Sequence, residues 1–98
     1  MSAKKLADDT LMTKEFLVLN KLGIHARPAA LFVKTANRFS CDIFVEKDGE
    51  RINGKSIMGL MMLAAGPGSK LLVVANGPDA EDAVKAIEDL IASKFGEE

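Results

Sequence analysis

The chain has no tryptophan, no tyrosine, one cysteine and one histidine in 98 residues, and each scarcity removes a class of explanation. A lone cysteine cannot close an intramolecular disulfide. Cys41 lies in an apolar-alternating stretch and reads as a buried strand thiol in a reducing compartment. A catalytic thiol would need a neighbouring base, and the only imidazole is His25. A formal net charge of −1, with no Trp or Tyr to stack on bases, argues against a nucleic-acid-binding face. No stretch approaches the about 18 apolar residues of a membrane span. The amino end, with two lysines followed by two aspartates, has no apolar run suited to export, so a cytoplasmic location is expected by default.

What remains is a composition of 48% hydrophobic and 28% charged residues, enough for one soluble domain with a single core and no disulfide or metal to hold it. Residues 1–12 follow no sustained period and read as a mobile or weakly helical extension ahead of a domain over 13–98. A β-rich run covers Lys14 to Asn20 and stops at the turn Lys21-Leu22-Gly23. A helix follows from about Ala26 to Phe39, with Ala29, Phe32, Val33 and Ala36 as its buried stripe. Cys41, Ile43 and Val45 alternate with polar neighbours as in a half-buried strand, and Asp48-Gly49 provides a tight reversal into a short strand near Glu50 to Asn53. Ser56 precedes a short apolar helix over 57–64 that Gly66-Pro67-Gly68 terminates, and Leu71 to Ala75 forms the next strand. From Asp79 the positions Ala80, Ala83, Val84, Ile87, Leu90 and Ile91 keep helical spacing, with Lys94 in the last turn and Gly96 beyond it. The order βαββαβα predicts an α+β open-faced sandwich: a four-stranded, largely antiparallel sheet with three helices on one face.

The segment Gly23-Ile24-His25-Ala26-Arg27-Pro28-Ala29 sets that histidine immediately before a helix start. The first amides of a helix have no intrahelical partner and carry roughly +0.5 of an elementary charge, which suits a phosphate. Pro28 in the first turn has no N–H to leave unpaired, so the donors are the backbone amides of Ala26 and Arg27. Arg27 also contributes a permanently charged fork able to grip phosphate oxygens.

With Asn53-Gly54-Lys55-Ser56-Ile57-Met58-Gly59 about thirty residues further on, the chain resembles the histidine-containing phosphocarrier (HPr) family of the bacterial phosphoenolpyruvate-dependent sugar phosphotransferase system, from about Thr13 to Glu98. The resemblance implies that His25 takes a phosphoryl group on Nδ1 from phospho-enzyme I and yields it to enzyme IIA domains, with Arg27 stabilising the phosphate. It implies regulatory phosphorylation at Ser56 by an HPr kinase/phosphorylase, with a transcriptional regulator as a further partner. It also implies a partner-docking face made by Ala30, Lys34, Ile57, Met58 and Met61 around His25 and Arg27. A monomer is expected, acting as a carrier rather than an enzyme, without metal or organic cofactor. The pattern departs from many relatives at Leu22, where a small polar residue would help to cap the helix or touch phosphate.

Two competing readings start from the same residues. Residues 49–56 satisfy the phosphate-loop pattern GxxxxGK[ST], but such a site needs a parallel sheet of several βα units, and the following helix is too short and the chain too small to supply one. A protein of the same family working mainly in signalling or regulation rather than sugar uptake would use identical His25 chemistry.

Overall fold

The computed structural model describes residues 10–97. Its elements are β1 (Leu11–Leu17), α1 (Ala26–Ala36), β2 (Asp42–Lys47), β3 (Glu50–Asn53), α2 (Ile57–Met62), β4 (Lys70–Asn76) and α3 (Ala80–Ala92), followed by a 3₁₀ turn over Lys94–Gly96. The strands form one sheet in the order β1-β4-β2-β3 with every pair antiparallel. The expected βαββαβα architecture is therefore present.

Cross-strand register explains how the sheet divides into two faces. Phe16 lies opposite Leu71, Ile43 opposite Ala75, and Val73 opposite Val45. These residues join Ala29, Phe32, Val33, Ala36, Leu60, Leu63, Ala83, Val84, Ile87 and Ile91 in one buried cluster between sheet and helices. Alternate positions, among them Thr13, Glu15 and Glu46, belong to the opposite face, as period-two alternation requires.

The element bounds differ from the sequence expectations in four instructive places. The regular part of β1 begins at Leu11 and ends at Leu17 rather than covering Lys14 to Asn20. Lys14 lies opposite Val73, on the core side of an edge strand, yet its ammonium reaches Glu88 of α3 at 2.7 Å, so the expected alternation is concealed. Beyond Leu17, Val18 still exchanges backbone bonds with Ser69 and Gly68 without being part of the regular strand. Leu11 and Met12, assigned above to the extension, belong to β1, while the reading of residues 1–9 lies outside the described residues.

Helix α1 stops at Ala36 instead of Phe39, because Arg38 and Phe39 bond back to the carbonyls of Thr35 and Ala36 in a tightened turn. The next two amides, Ser40 and Cys41, are then taken by the carboxylate of Asp79 at 2.8 and 2.9 Å. This clamp draws the end of α1 against the start of α3, and the Ser40 amide is the main reason the Asp79 carboxyl is held below its ordinary range. Cys41 is buried as expected but lies in the bend just before β2 rather than in the strand; burial, then its contact with Asp79, pushes its thiol up to about 11 and keeps it protonated.

Helix α2 ends at Met62, and Ala64 takes a left-handed φ of 51° two residues ahead of Gly66. The stop is therefore made by alanine before the glycine-proline segment begins. Helix α3 ends at Ala92, so Lys94 lies past its last turn. Lys94, Phe95 and Gly96 all have positive φ, at 57°, 56° and 73°. A left-handed non-glycine residue costs roughly 1–2 kcal/mol, and burial of the Phe95 side chain offsets that by about 1.5–3 kcal/mol. The consequence is a sharp bend that brings Glu97 back toward the start of α1. The hairpin expectation holds: Asp48 and Gly49, with φ of 52° and 84°, make the two-residue turn between β2 and β3.

Candidate functional site

The turn leading into α1 is built from the backbone outward. Asn20 O accepts from Gly23 N at 3.2 Å, Gly23 O accepts from His25 N at 3.1 Å, and Ile24 N donates to Ala65 O at 2.8 Å. Gly23 has φ +72°, and a Cβ there would lie 2.5 Å from Ala65 O and 2.8 Å from Gly66 Cα. Both are backbone atoms with little room to retreat. Glycine is therefore required twice, once for the dihedral and once for the close passage of the 65–66 backbone.

His25 is the N-cap residue of α1, with extended backbone (φ −95°, ψ −166°) and no side-chain bond back to the helix. Its carbonyl accepts the first helical bond, from Ala29 N at 3.0 Å. Pro28 has no amide hydrogen, so the free donors of the first turn are Ala26 and Arg27, and no side chain among the described residues occupies them. The imidazole is partly open to solvent, its side chain 38% exposed. Nε2 lies 2.9 Å from Glu97 Oε2. A carboxylate can only accept, so Nε2 carries the hydrogen in this contact and the neutral ring keeps its lone pair on Nδ1. Nδ1 itself has no partner among the described residues.

Glu97 is the group that the sequence reading missed. Only 16% of its side chain is exposed, and its second oxygen, Oε1, receives Asn20 Nδ2 at 3.0 Å. Nothing in the Glu97-Glu98 pair at the carboxyl end marks it. The available signal was Gly96 after a buried aromatic, which announces a left-handed turn but not its destination. With Lys21, Leu22 and Arg27, Glu97 lines a shallow cavity of about 450 Å³ beside the imidazole. Arg27 is exposed and makes no ion pair among the described residues, so its guanidinium is available to an anion arriving at the helix start. Leu22 is 72% exposed and offers no hydrogen bond, consistent with the departure noted at that position.

Ser56 caps α2 as expected, its Oγ accepting from Gly59 N at 2.9 Å. Helix α2 packs against α1. Ala30 and Lys34 are exposed on α1, and Ile57, Met58 and Met61 are exposed on α2, whereas Leu60 and Leu63 turn into the core. Met62, unnamed in the sequence reading, adds to this apolar surface at 69% exposure. The phosphate-loop pattern has no matching geometry: Gly49 sits in a hairpin turn, β3 is an antiparallel edge strand, and Ser56 is engaged in capping. Among the described residues there is no group of three potential metal ligands and no helix long and apolar enough to cross a membrane.

Comparison with known proteins matches residues 12–93 to the family model described as PTS HPr component phosphorylation site. The phosphocarrier protein HPr of Treponema pallidum (strain Nichols) is 51% identical over 88 residues, covering 90% of this chain and 100% of that protein. Among solved structures, HPr of Thermoanaerobacter tengcongensis superposes with a TM-score of 0.86 at 53% identity, covering 89% of this chain and 98% of that one. Crh of Bacillus subtilis, a catabolite repression protein solved as a dimer with a swapped domain, superposes with a TM-score of 0.69 at 47% identity over 76% of this chain and 85% of that one. With its fold and both sequence motifs in agreement with these matches, the chain belongs to the HPr family of phosphocarrier proteins of the phosphotransferase system.

Proposed function

We propose that this chain accepts a phosphoryl group from phospho-enzyme I on Nδ1 of His25 and hands it to enzyme IIA domains. The observation that carries the reading is the half-open imidazole at a bare helix start, its Nε2 held by Glu97 and its Nδ1 left open. Nδ1 donates its lone pair to phosphorus as the bond from the donor's phosphohistidine nitrogen breaks. The ring is then positively charged with hydrogen on Nε2, opposite the Glu97 carboxylate. The amides of Ala26 and Arg27, with the Arg27 guanidinium, take the charge on the phosphoryl oxygens. Delivery reverses these steps, and a protonated ring is the better leaving group.

Exposed Ile57, Met58 and Met61, flanked by Ala30 and Lys34, serve as the docking face in this reading. Methionine suits a surface that must fit a donor and several acceptors in turn. Phosphorylation of Ser56 by an HPr kinase/phosphorylase would add about −1.5 to −2 charge beside that apolar surface, changing partner choice, including that of a transcriptional regulator, without refolding. The protein works as a cytoplasmic monomer built on one domain whose first strand starts at Leu11. A relay used mainly for regulation would differ only in the acceptor it serves.

The test is incubation with enzyme I and labelled phosphoenolpyruvate. Acid-labile, base-stable label that vanishes in His25→Ala, with the fold retained, is the expected result; acid-stable label, or none, overturns the reading. ATP with a cognate kinase should give acid-stable label at Ser56, and sedimentation at the monomer mass checks the oligomeric state.

A further inference from the structure

We infer that Asn20 is a positioning residue for His25, acting through Glu97 to set which ring nitrogen carries the hydrogen; this rests on the carrier reading above. Asn20 is the one fully buried polar side chain among the described residues, at 0% exposure. Its Nδ2 donates to Gly23 O at 2.7 Å and to Glu97 Oε1 at 3.0 Å, while Glu97 Oε2 faces His25 Nε2 at 2.9 Å. The amide has only one tenable orientation, since turning it over would point Oδ1 at a carbonyl and a carboxylate, both acceptors.

Asn20 Oδ1 is buried and has no partner among the described residues. A buried acceptor without a partner is destabilising, and an apolar residue of similar volume would avoid the penalty. What the amide supplies instead is a hydrogen for each of two sites: one on the turn that presents His25, the other on the carboxylate that reads the ring. The left-handed run at Lys94, Phe95 and Gly96 brings Glu97 into reach, and Asn20 then fixes how its two oxygens are divided. The far oxygen is left for Nε2–H, and Nδ1 keeps the lone pair that accepts phosphorus. Removing Nδ2 frees the carboxylate to swing into solvent.

Imidazole ¹⁵N NMR on the neutral ring reads this directly. The wild-type chain should hold His25 in the Nε2–H form. Asn20→Ala should lower the Nε2–H to Nδ1–H ratio by on the order of tenfold, the scale of a lost charge-assisted bond. Glu97→Ala should lower it equally, and the double variant should lower it no further. A role confined to stability would weaken folding while leaving the ratio in folded molecules unchanged, and that result overturns the inference. Should Asn20→Ala fail to fold, the Asn20 side-chain amide resonances decide: they shift in Glu97→Ala if the hand-over exists and stay fixed if it does not. A wild-type chain that takes no label from enzyme I overturns the carrier reading, whereas an unmoved tautomer ratio in a chain that does take label overturns the role of Asn20 alone.

Discussion

Replacing Gly23 with alanine should damage this protein more than the same change at Gly49. Gly23 and Gly49 have similar dihedrals, φ +72° and +84°, so Gly23→Ala and Gly49→Ala share a backbone penalty of roughly 1–2 kcal/mol. They differ in surroundings. Nothing lies within 4 Å of a Cβ at Gly49, whereas one at Gly23 would meet Ala65 O at 2.5 Å and Gly66 Cα at 2.8 Å. Relief requires the 65–66 backbone to withdraw, which strains the Ile24–Ala65 bond and adds about 1–3 kcal/mol by the usual cost of overpacking. Gly23→Ala should therefore cost about 2–5 kcal/mol, against about 1–2 kcal/mol for Gly49→Ala. With a urea slope of about 1–3 kcal/mol/M, the two unfolding midpoints should separate by on the order of 1 M. Phosphoryl acceptance measured on the folded fraction should fall only in Gly23→Ala, because the displaced turn is the one that presents His25. Coincident midpoints would refute the argument, since they would mean that the 65–66 segment yields freely and does not hold the turn.

Other perturbations follow from contacts already described. Ser56→Ala should lower stability by about 1 kcal/mol through loss of the bond to Gly59 N, readable in urea titration, and Ser56→Asp should slow phosphoryl uptake from enzyme I by placing charge beside Met58 and Met61. Arg27→Ala should reduce the rate of transfer more than the affinity for enzyme I, checked by stopped flow against equilibrium titration. The Asp79 carboxyl titrates below its unfolded value, so its stabilisation is complete above about pH 4 and declines as pH falls through the folded-state range. Asp79→Asn should therefore flatten the acid limb of stability against pH, measured by urea midpoints from neutral pH to about pH 2.5.

Residue patterns expose the fold wherever the cause is local. Asp48-Gly49 demands the tight turn that forms, Ser56 caps the helix that follows, and the stripe Ala29, Phe32, Val33 and Ala36 faces the core. The start of β1 was hidden because Lys14 occupies a core-side position and escapes to Glu88, which disguises the alternation. The end of α2 was misplaced because Ala64 accepts a conformation usually given to glycine. At the site, His25, Arg27 and the first-turn amides were legible as one contiguous segment. Asn20 and Glu97 were not: their relation spans 77 positions and exists only once the left-handed bend at Phe95 has formed.

The His25 turn is tethered at Ala65 and braced by Glu97, and among the described residues the strand preceding it pairs only with β4. No short peptide cut from around residue 25 contains these supports, so the ring's geometry has no existence apart from the finished domain. Fraying confined to the carboxyl-terminal bend would release Glu97 from the ring while leaving the sheet intact, a change that measures of helix content would not register.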